Sequence, residues 1–252
     1  MEEAVKEEKN DERMERMFKV GAHFGYSKSR RHPSMKRYIF GVKNRVEIFD
    51  LEKTKNALQS AKEFVKSLGA LGKQILFVGG KNEAKDILAQ GALSLDMPYV
   101  ATRWIGGTLT NFAVIRSRVE RLLFLRAERD GGGLAKYTKK ERLIIDREIS
   151  HLEKYFSGLI SLATLPAALF VIDPRFEHIA VTEAHKKNVP VIALMSSDCD
   201  LDVVDYPVVG NDSAIPSIRF FTEEIIESYK SGRGEALVAV PSPEAPKLNF
   251  SA

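Results

Sequence analysis

The sequence predicts an α/β protein with a doubly wound, mainly parallel sheet. Three continuous apolar runs, Gln74–Val78, Ala168–Ile172 and Val189–Met195, are typical of strands that are buried on both faces. Segments with apolar residues at helical spacing lie between them, and strands that alternate with such helices form βαβ units. The chain has 252 residues, 44% of them hydrophobic, so it can form a core without a metal or a disulfide.

The N-terminal part begins with an acidic arm, residues 1–17, which holds seven acids against four bases. Two short strands are predicted at Arg37–Val42 and Val46–Asp50, joined by a tight turn that carries Lys43 and Arg45. Residues 51–69 have apolar or small side chains at alternating spacings of three and four, which predicts an amphipathic helix. After the strand at 74–78, a helix over 82–95 and a short strand at 98–101 follow.

Residues 111–163 interrupt that rhythm and predict two helices that project from the α/β domain. Thr138 and Glu141 have the spacing of a capping box at the start of the second helix, and Gly131–Gly133 supplies a flexible turn before it. Apolar residues recur at spacings of three and four in narrow seams, which predicts an antiparallel coiled-coil hairpin. The seam residues are Phe112, Ile115, Val119 and Leu122, then Ile145, Ile149, Leu152, Phe156 and Leu159.

The last third returns to the α/β pattern, with a helix over 177–187, a strand at Tyr206–Val209 and a final helix that Asn211–Ser213 can cap. The proline-containing tail from Gly234 is predicted to be disordered. The expected organisation is therefore an acidic arm, an α/β domain in two parts, an inserted hairpin and a tail. These segments are residues 1–17, 18–110 and 164–233, 111–163, and 234–252 respectively.

A one-sided run of basic residues from Lys19 to Arg45 indicates an anionic partner. No acid lies within this run, whereas solvated surfaces usually mix the two signs. Because the run enters the predicted strand pair, we expect its charges on a partly rigid surface. The eight cations are Lys19, Lys28, Arg30, Arg31, Lys36, Arg37, Lys43 and Arg45.

No enzyme motif or metal site is complete. Gly79–Asn82 lacks the glycine spacing and the Ser or Thr of a phosphate loop, which favours a plain strand-to-helix turn, although Lys81 could still meet an RNA phosphate. His178 and His185 would lie about 10 Å apart along a helix, too far to share an ion. Asp198–Asp202 lacks the Gly and Glu of a calcium loop, and Cys199 has no catalytic signature around it. We expect no catalysis, cofactor or metal.

Cysteine usage and the apolar segments predict a cytoplasmic protein. Cys199 is the single cysteine and cannot form an internal disulfide, which fits a reducing compartment. The N-terminus lacks the apolar core of a signal peptide. Leu159–Ile172, the longest apolar stretch, is interrupted and too short to span a bilayer, so no membrane partner is expected.

Arg103–Asn111 is the most distinctive local string. Gly106 and Gly107 allow a sharp backbone path, and Thr110 can cap the first hairpin helix. A lone Trp104 is more often a core residue than a platform for a ligand. Arg103 is equally suited to a salt bridge and to a phosphate contact.

Together these strings resemble the bacterial small-subunit ribosomal protein two family. They stand in the family's order from about residue 17 to Arg233, which covers nearly the whole folded region. The matching segments are Val20–Gly25, Met35–Gly41, Asn44–Val46, Leu51–Thr54, Ile75–Gly79, Arg103–Asn111, Leu134–Glu141, Phe170–Asp173, Glu177–Ile179 and Gly210–Asp212.

The resemblance implies a flavodoxin-like body with a coiled-coil hairpin between its middle strands, and a structural, non-catalytic role on the small ribosomal subunit. Family members contact 16S ribosomal RNA and neighbouring ribosomal proteins, and help to dock the large, mRNA-binding first protein. RNA contacts are then expected from the eight cations of Lys19–Arg45 and from Arg103, with phosphate groups as the main targets.

Two other functions are compatible with the sequence. A flavodoxin-like enzyme or nucleotide-binding protein would use the loops after residues 78 and 172, where open parallel sheets bind their ligands. A protein-interaction adaptor would use the hairpin, and this function is compatible with a ribosomal role.

Overall fold

The computed structural model describes residues 12–239, with side chains up to residue 235. Most of the predicted acidic arm and tail therefore lies outside the described residues. The helices are α1 (described over residues 12–19), α2 (Leu51–Ala70), α3 (Asn82–Leu93), α4 (Phe112–Asp130), α5 (Lys139–Phe156), α6 (His178–Lys186) and α7 (Ile215–Ala239). The strands are β1 (Phe24–Ser27), β2 (Ile39–Lys43), β3 (Val46–Phe49), β4 (Ile75–Val78), β5 (Tyr99–Val100), β6 (Ala168–Ile172), β7 (Val191–Met195) and β8 (Tyr206–Val209).

Five of these strands form one parallel sheet in the spatial order β5-β4-β6-β7-β8. Counted along the chain, this is the order 2-1-3-4-5 of flavodoxin-like folds. The predicted α/β class and its parallel sheet are confirmed. The strand order reverses between β4 and β6, whose residues pair from Ile75 with Ala168 to Val78 with Val171.

Apolar side chains of the sheet alternate between two cores. Leu76 and Val78 face the side that carries α4, α5, α6 and the N-terminal strands. Ile75 and Phe77 face the opposite side, where α2, α3 and α7 pack. Because both faces are covered, the central strands are apolar at every position, which is why they could be found in the sequence.

A second, antiparallel sheet in the order β1-β3-β2 holds much of the basic run. The predicted tight turn between β2 and β3 is confirmed: Asn44 and Arg45 both have positive φ, 51° and 67°, as a type I′ hairpin turn requires. Residues 33–38 form a 3₁₀ helix instead of the start of a strand, so β2 begins only at Ile39. β1 was not predicted.

The helices α4 and α5 pack against each other within residues 111–163. The predicted capping box is confirmed, since the Thr138 hydroxyl accepts from the Glu141 N–H while the Glu141 carboxylate accepts from the Thr138 N–H. Thr110, however, does not cap α4 as predicted. The N-cap residue is Asn111, whose side chain makes no cap hydrogen bond. The Thr110 hydroxyl donates to the Glu183 carboxylate of α6.

The last helix is longer than expected. α7 continues through Gly234 to Ala239, where the tail was predicted to begin. Asn211 accepts N–H bonds from Ser213 and Ala214 immediately before α7, close to its predicted capping role. Within residues 12–239, none of the helices combines the length and the apolar character needed to cross a membrane.

The crossing of α2 and α7 depends on glycine. A Cβ at Gly69 would overlap the Tyr229 carbonyl, and a Cβ at Gly232 would overlap the Lys66 carbonyl. We expect Gly69→Ala to lower the free energy of unfolding by about 3 kcal/mol, because backbone atoms must move apart. Urea denaturation measures the change. Gly234→Ala is the control: its Cβ would meet nothing within 4 Å, so stability should stay constant or rise by up to about 1 kcal/mol.

Candidate nucleic-acid interface

The small sheet places the basic residues in two groups. Ser27 lies opposite Val46, which in turn lies opposite Lys43, so the end of β1 and the β2–β3 turn share one end of the sheet. The other end is fixed by the pairing of Ile39 with Phe49, about 13 Å away along β2. We call Lys28, Arg30, Lys43 and Arg45 the turn-end group, and Lys36 and Arg37 the root-end group.

All six of these cations are exposed, and none has a carboxylate within 4.0 Å in the described part of the chain. The Arg30 guanidinium lies 5.4 Å from the Tyr26 ring centroid, and that of Arg37 lies 5.7 Å from the Tyr38 ring. Such stacking restricts a guanidinium while leaving N–H donors available at its edge. The two groups are therefore free to bind an anion.

Lys19 and Arg31, predicted with the others, are placed differently. The Lys19 ammonium lies 3.7 Å from the Glu15 carboxylate, and both side chains are exposed, so this ion pair contributes little to stability. Arg31 lies 3.1 Å from Glu47, whose side chain is fully buried. Since a buried carboxylate needs a compensating charge, Arg31 is a structural cation and does not belong to the exposed groups.

An apolar strip lies between the two groups and was not predicted. Phe40 is 81% exposed and Val42 52% exposed, and the pairing of β2 with β3 is irregular at Phe40, between Ile39 and Gly41. Aromatic side chains next to cations are a common arrangement on surfaces that bind unpaired RNA.

Arg103 is exposed but lies outside the small sheet. It lines a cavity of about 560 Å³ between the carboxyl end of the large sheet and α5. A neighbouring cleft of about 530 Å³ is lined by Arg30 and Arg175 together with Asp198 and Asp200, and His178 borders both spaces. Two adjoining spaces that share His178 therefore lie between Arg30 of the turn-end group and Arg103. No salt bridge of Arg103 is found within the described residues.

The loop after Arg103 is wrapped around one carboxylate, that of Glu183. This carboxylate accepts hydrogen bonds from the backbone N–H groups of Gly107 (2.6 Å), Leu109 (2.9 Å) and Thr110 (3.1 Å) and from the Trp104 indole (3.2 Å). Burial alone would raise the pKa of Glu183, but these donors together lower it below its usual value. Trp104 is buried, as predicted, and the unpredicted Glu183 explains the shape of the string.

The strand order reverses between β4 and β6, and ion pairs fill the crevice at the carboxyl ends of these two strands. Lys81 Nζ lies 2.6 Å from Asp173 Oδ2 and 2.8 Å from Asp212 Oδ2, so it is not available to an RNA phosphate. Glu177 accepts from the Gly80 N–H at 2.8 Å, where a phosphate-binding loop would present its amides to a ligand. This arrangement disfavours the alternative of a nucleotide or flavin site.

Burial and charge set the protonation of this cluster. Burial raises the pKa of Asp212 to about 6, with Asp173 adding to the effect and Lys81 opposing it. For Lys81, burial lowers the pKa, but the two carboxylates outweigh it and raise the value. Burial is thus the main reason that Asp212 ionises with difficulty, and the neighbouring Asp173 carboxylate adds to it.

The remaining candidate groups have local structural roles. Burial, and then the charge of Asp173, raise the pKa of the Cys199 thiol. Asp198 pairs with Arg175 at 2.8 Å, and Asp200 accepts from the Asp202 N–H. His185 bonds the Val203 carbonyl instead of approaching His178. Across residues 12–239, no three His, Cys, Asp or Glu side chains are arranged to hold a metal ion.

The family model described as ribosomal protein S2 matches residues 17–232. The chain belongs to the ribosomal protein S2 family. The match covers the small basic sheet, the parallel sheet and both helices of the 111–163 segment, so it includes the whole candidate interface.

Several curated members of the S2 family are similar over most of the chain. The small ribosomal subunit protein uS2 of Mycolicibacterium gilvum is 44% identical over 219 residues, which cover 87% of this chain and 78% of that protein. The uS2 of Nocardia farcinica is 43% identical over 219 residues, with coverages of 87% and 77%. The uS2 of Helicobacter hepaticus is 41% identical over 222 residues, with coverages of 88% and 84%.

Membership of the S2 family confirms the resemblance found in the sequence. It also confirms that the chain is a structural protein and not an enzyme, since these relatives are named as ribosomal proteins.

Proposed function

We propose that this S2-family protein is a cytoplasmic constituent of the small ribosomal subunit that binds 16S ribosomal RNA without catalysis. Its RNA contacts are the turn-end group, the root-end group and Arg103. The observation that carries this proposal is the set of six exposed cations with no carboxylate partner among the described residues, held at the two ends of one small sheet.

Contacts to the body make this surface rigid. The Tyr26 N–H donates to the Ser197 hydroxyl at 3.0 Å, and the His32 N–H donates to the Ser197 carbonyl at 2.8 Å. At the root end, the Asp50 N–H donates to the Tyr38 carbonyl at 2.9 Å. Because the backbone is fixed before binding, less entropy is lost when RNA docks. Cations at fixed separations recognise the spacing of phosphates, hence RNA shape more than sequence.

The helical segment 111–163 is proposed to be an antiparallel coiled-coil hairpin inserted between residues 18–110 and 164–233 of the α/β domain. Ion pairs join its helices, Arg121 to Glu148 at 3.0 Å and Arg126 to Glu153 at 2.8 Å. Several apolar side chains remain exposed, which supports contacts with neighbouring ribosomal proteins, including the large mRNA-binding first protein. These exposed residues are Val114, Leu123, Phe124, Leu143 and Ile144.

Removing four cations of the interface tests the RNA contacts. We expect the variant Lys36→Ala, Arg37→Ala, Lys43→Ala, Arg45→Ala to bind small subunits depleted of this protein at least about tenfold more weakly at physiological salt. Each lost phosphate contact reduces the slope of log affinity against log salt by about 0.7–0.9, so the slope should fall by about 3. Filter binding across a potassium chloride series, with sedimentation in sucrose gradients, measures both quantities.

The matched control removes the same charge elsewhere. Lys73, Lys186, Lys187 and Lys230 are exposed and lie outside the interface, and their combined replacement by Ala should leave the salt slope nearly unchanged. Arg31 is kept in both variants because it neutralises Glu47. Equal losses of affinity in the two variants would mean that net charge, and not this surface, drives binding.

A further inference from the structure

We propose that the cavity beside Arg103 receives one unpaired nucleotide of RNA, with its base stacked on Phe176 and its phosphate held by Arg103, Lys85 and Lys154. This proposal rests on the proposed RNA binding and assigns a second, stacking contact to it. The cavity measures about 560 Å³, within the range of sites for small ligands.

The charge of the cavity favours an anion. Lys85, Arg103 and Lys154 line it, and no salt bridge of any of the three is found among the described residues. Glu177 is the one carboxylate in the lining, and one of its oxygens already accepts from the Gly80 N–H. The lining therefore has an excess of positive charge that the protein itself does not neutralise.

The apolar part of the cavity favours a base over a simple anion. Phe176, in the turn before α6, is 56% exposed, and Ile179, in the first turn of α6, is 42% exposed. Tyr155 forms another wall, with Lys154 Nζ 5.3 Å from its ring centroid. Aromatic faces beside cations are how proteins hold single nucleotides, because every base has a face that can stack.

The walls of the cavity are fixed from both sides. The Thr102 hydroxyl donates to the Lys154 carbonyl at 3.1 Å, which ties the loop to α5. Gly158 packs so closely on Tyr99 that a Cβ there would overlap the Tyr99 carbonyl. Trp104, held by Glu183, closes the floor. The cavity is thus preformed and accessible to an inserted base.

Trp104 is the single tryptophan of the chain and lines the cavity, so its fluorescence reports on the site. We expect a single-stranded RNA hexamer, titrated into the full-length protein, to change this fluorescence saturably, and a duplex of the same sequence to have little effect. Phe176→Ala should weaken the hexamer affinity at least about tenfold, since a stacking contact is lost. Phe124→Ala is the control, because Phe124 is similarly exposed, at 54%, but outside the cavity.

Two results would overturn the proposal: no response of Trp104 to the hexamer, or an unchanged hexamer affinity in Phe176→Ala. The variant lacking Lys36, Arg37, Lys43 and Arg45 separates this site from the interface, because it should retain the Trp104 response while losing subunit binding. In assembled subunits, a photocrosslinking phenylalanine placed at position 176 should attach to RNA. Attachment to a protein instead would show that the cavity docks a protein segment and would also overturn the proposal.

Discussion

Replacing Lys81 by Met should lower the free energy of unfolding by about 3–5 kcal/mol, the usual cost of removing one partner from a buried ion cluster. The substitution leaves Asp173 and Asp212 facing each other, both nearly or fully buried, with no ammonium between them. Chemical denaturation at neutral pH measures the loss. Lys186→Met, at an exposed position, should change stability by less than about 0.5 kcal/mol.

The pH dependence of stability identifies the group responsible. The pKa of Asp212 is about 6 in the folded protein against an ordinary value of 3.8, so the folded state binds more protons between these values. Stability should therefore fall as pH rises from about 4 to about 6, by about 3 kcal/mol at most. Asp212→Asn should remove this fall. Lys81→Met should extend it to higher pH, because the ammonium that lowers the pKa of Asp212 is gone.

A pH profile of Asp212→Asn that still falls between pH 4 and 6 would assign the effect to another carboxylate. The double variant Lys81→Met, Asp212→Asn is the second check, since it leaves one buried carboxylate instead of two. It should recover part of the stability that Lys81→Met loses, and the coupling between the two changes should exceed the error of additivity, about 0.5 kcal/mol.

The regular elements of the parallel sheet could be predicted because their signals are local. β6 was predicted at Ala168–Ile172 and has those bounds, since an unbroken apolar run between turn signals describes a strand buried on both faces. The capping box at Thr138 and the turn at Asn44 were likewise found from a few adjacent residues. β1 was missed because it has only four residues, including Gly25, and is defined by irregular pairing with β3.

The candidate site was predicted only as far as charge alone determines it. The acid-free run indicated an exposed basic surface, but Arg31 is neutralised by Glu47 from another strand. Glu47 lies two residues before Phe49 in β3, and both side chains are buried. This spacing of two could have identified Glu47 as an inward-facing carboxylate. Lys81, Asp173 and Asp212 each follow a strand of the parallel sheet, and only the strand order shows that they meet.

Glu183→Ala should release the loop that joins the parallel sheet to α4. Its carboxylate accepts from three backbone N–H groups of residues 107–110, from the Trp104 indole and from the Thr110 hydroxyl. Without it, the buried donors of Leu109 and Trp104 are unpaired, and each costs about 1–3 kcal/mol unless the loop opens to water, while the donors of Gly107 and Thr110 are only partly buried. We expect a loss of at least about 3 kcal/mol, or local opening with faster amide hydrogen exchange at Gly107, Leu109 and Thr110.

Glu183→Gln distinguishes the lost acceptors from the lost packing. The amide keeps the size of the side chain but replaces one acceptor oxygen by a donor that faces other donors, so it should cost nearly as much as Glu183→Ala. In the native protein the pKa of Glu183 is lower than its ordinary value of 4.5, so the ionised carboxylate stabilises the fold at pH values above 4.5. This contribution is lost as the pH falls below 4.5 and through the lowered pKa. A Glu183→Gln protein with native stability, native exchange at Gly107 and an unchanged Trp104 emission would show that the loop is held by its apolar contacts alone.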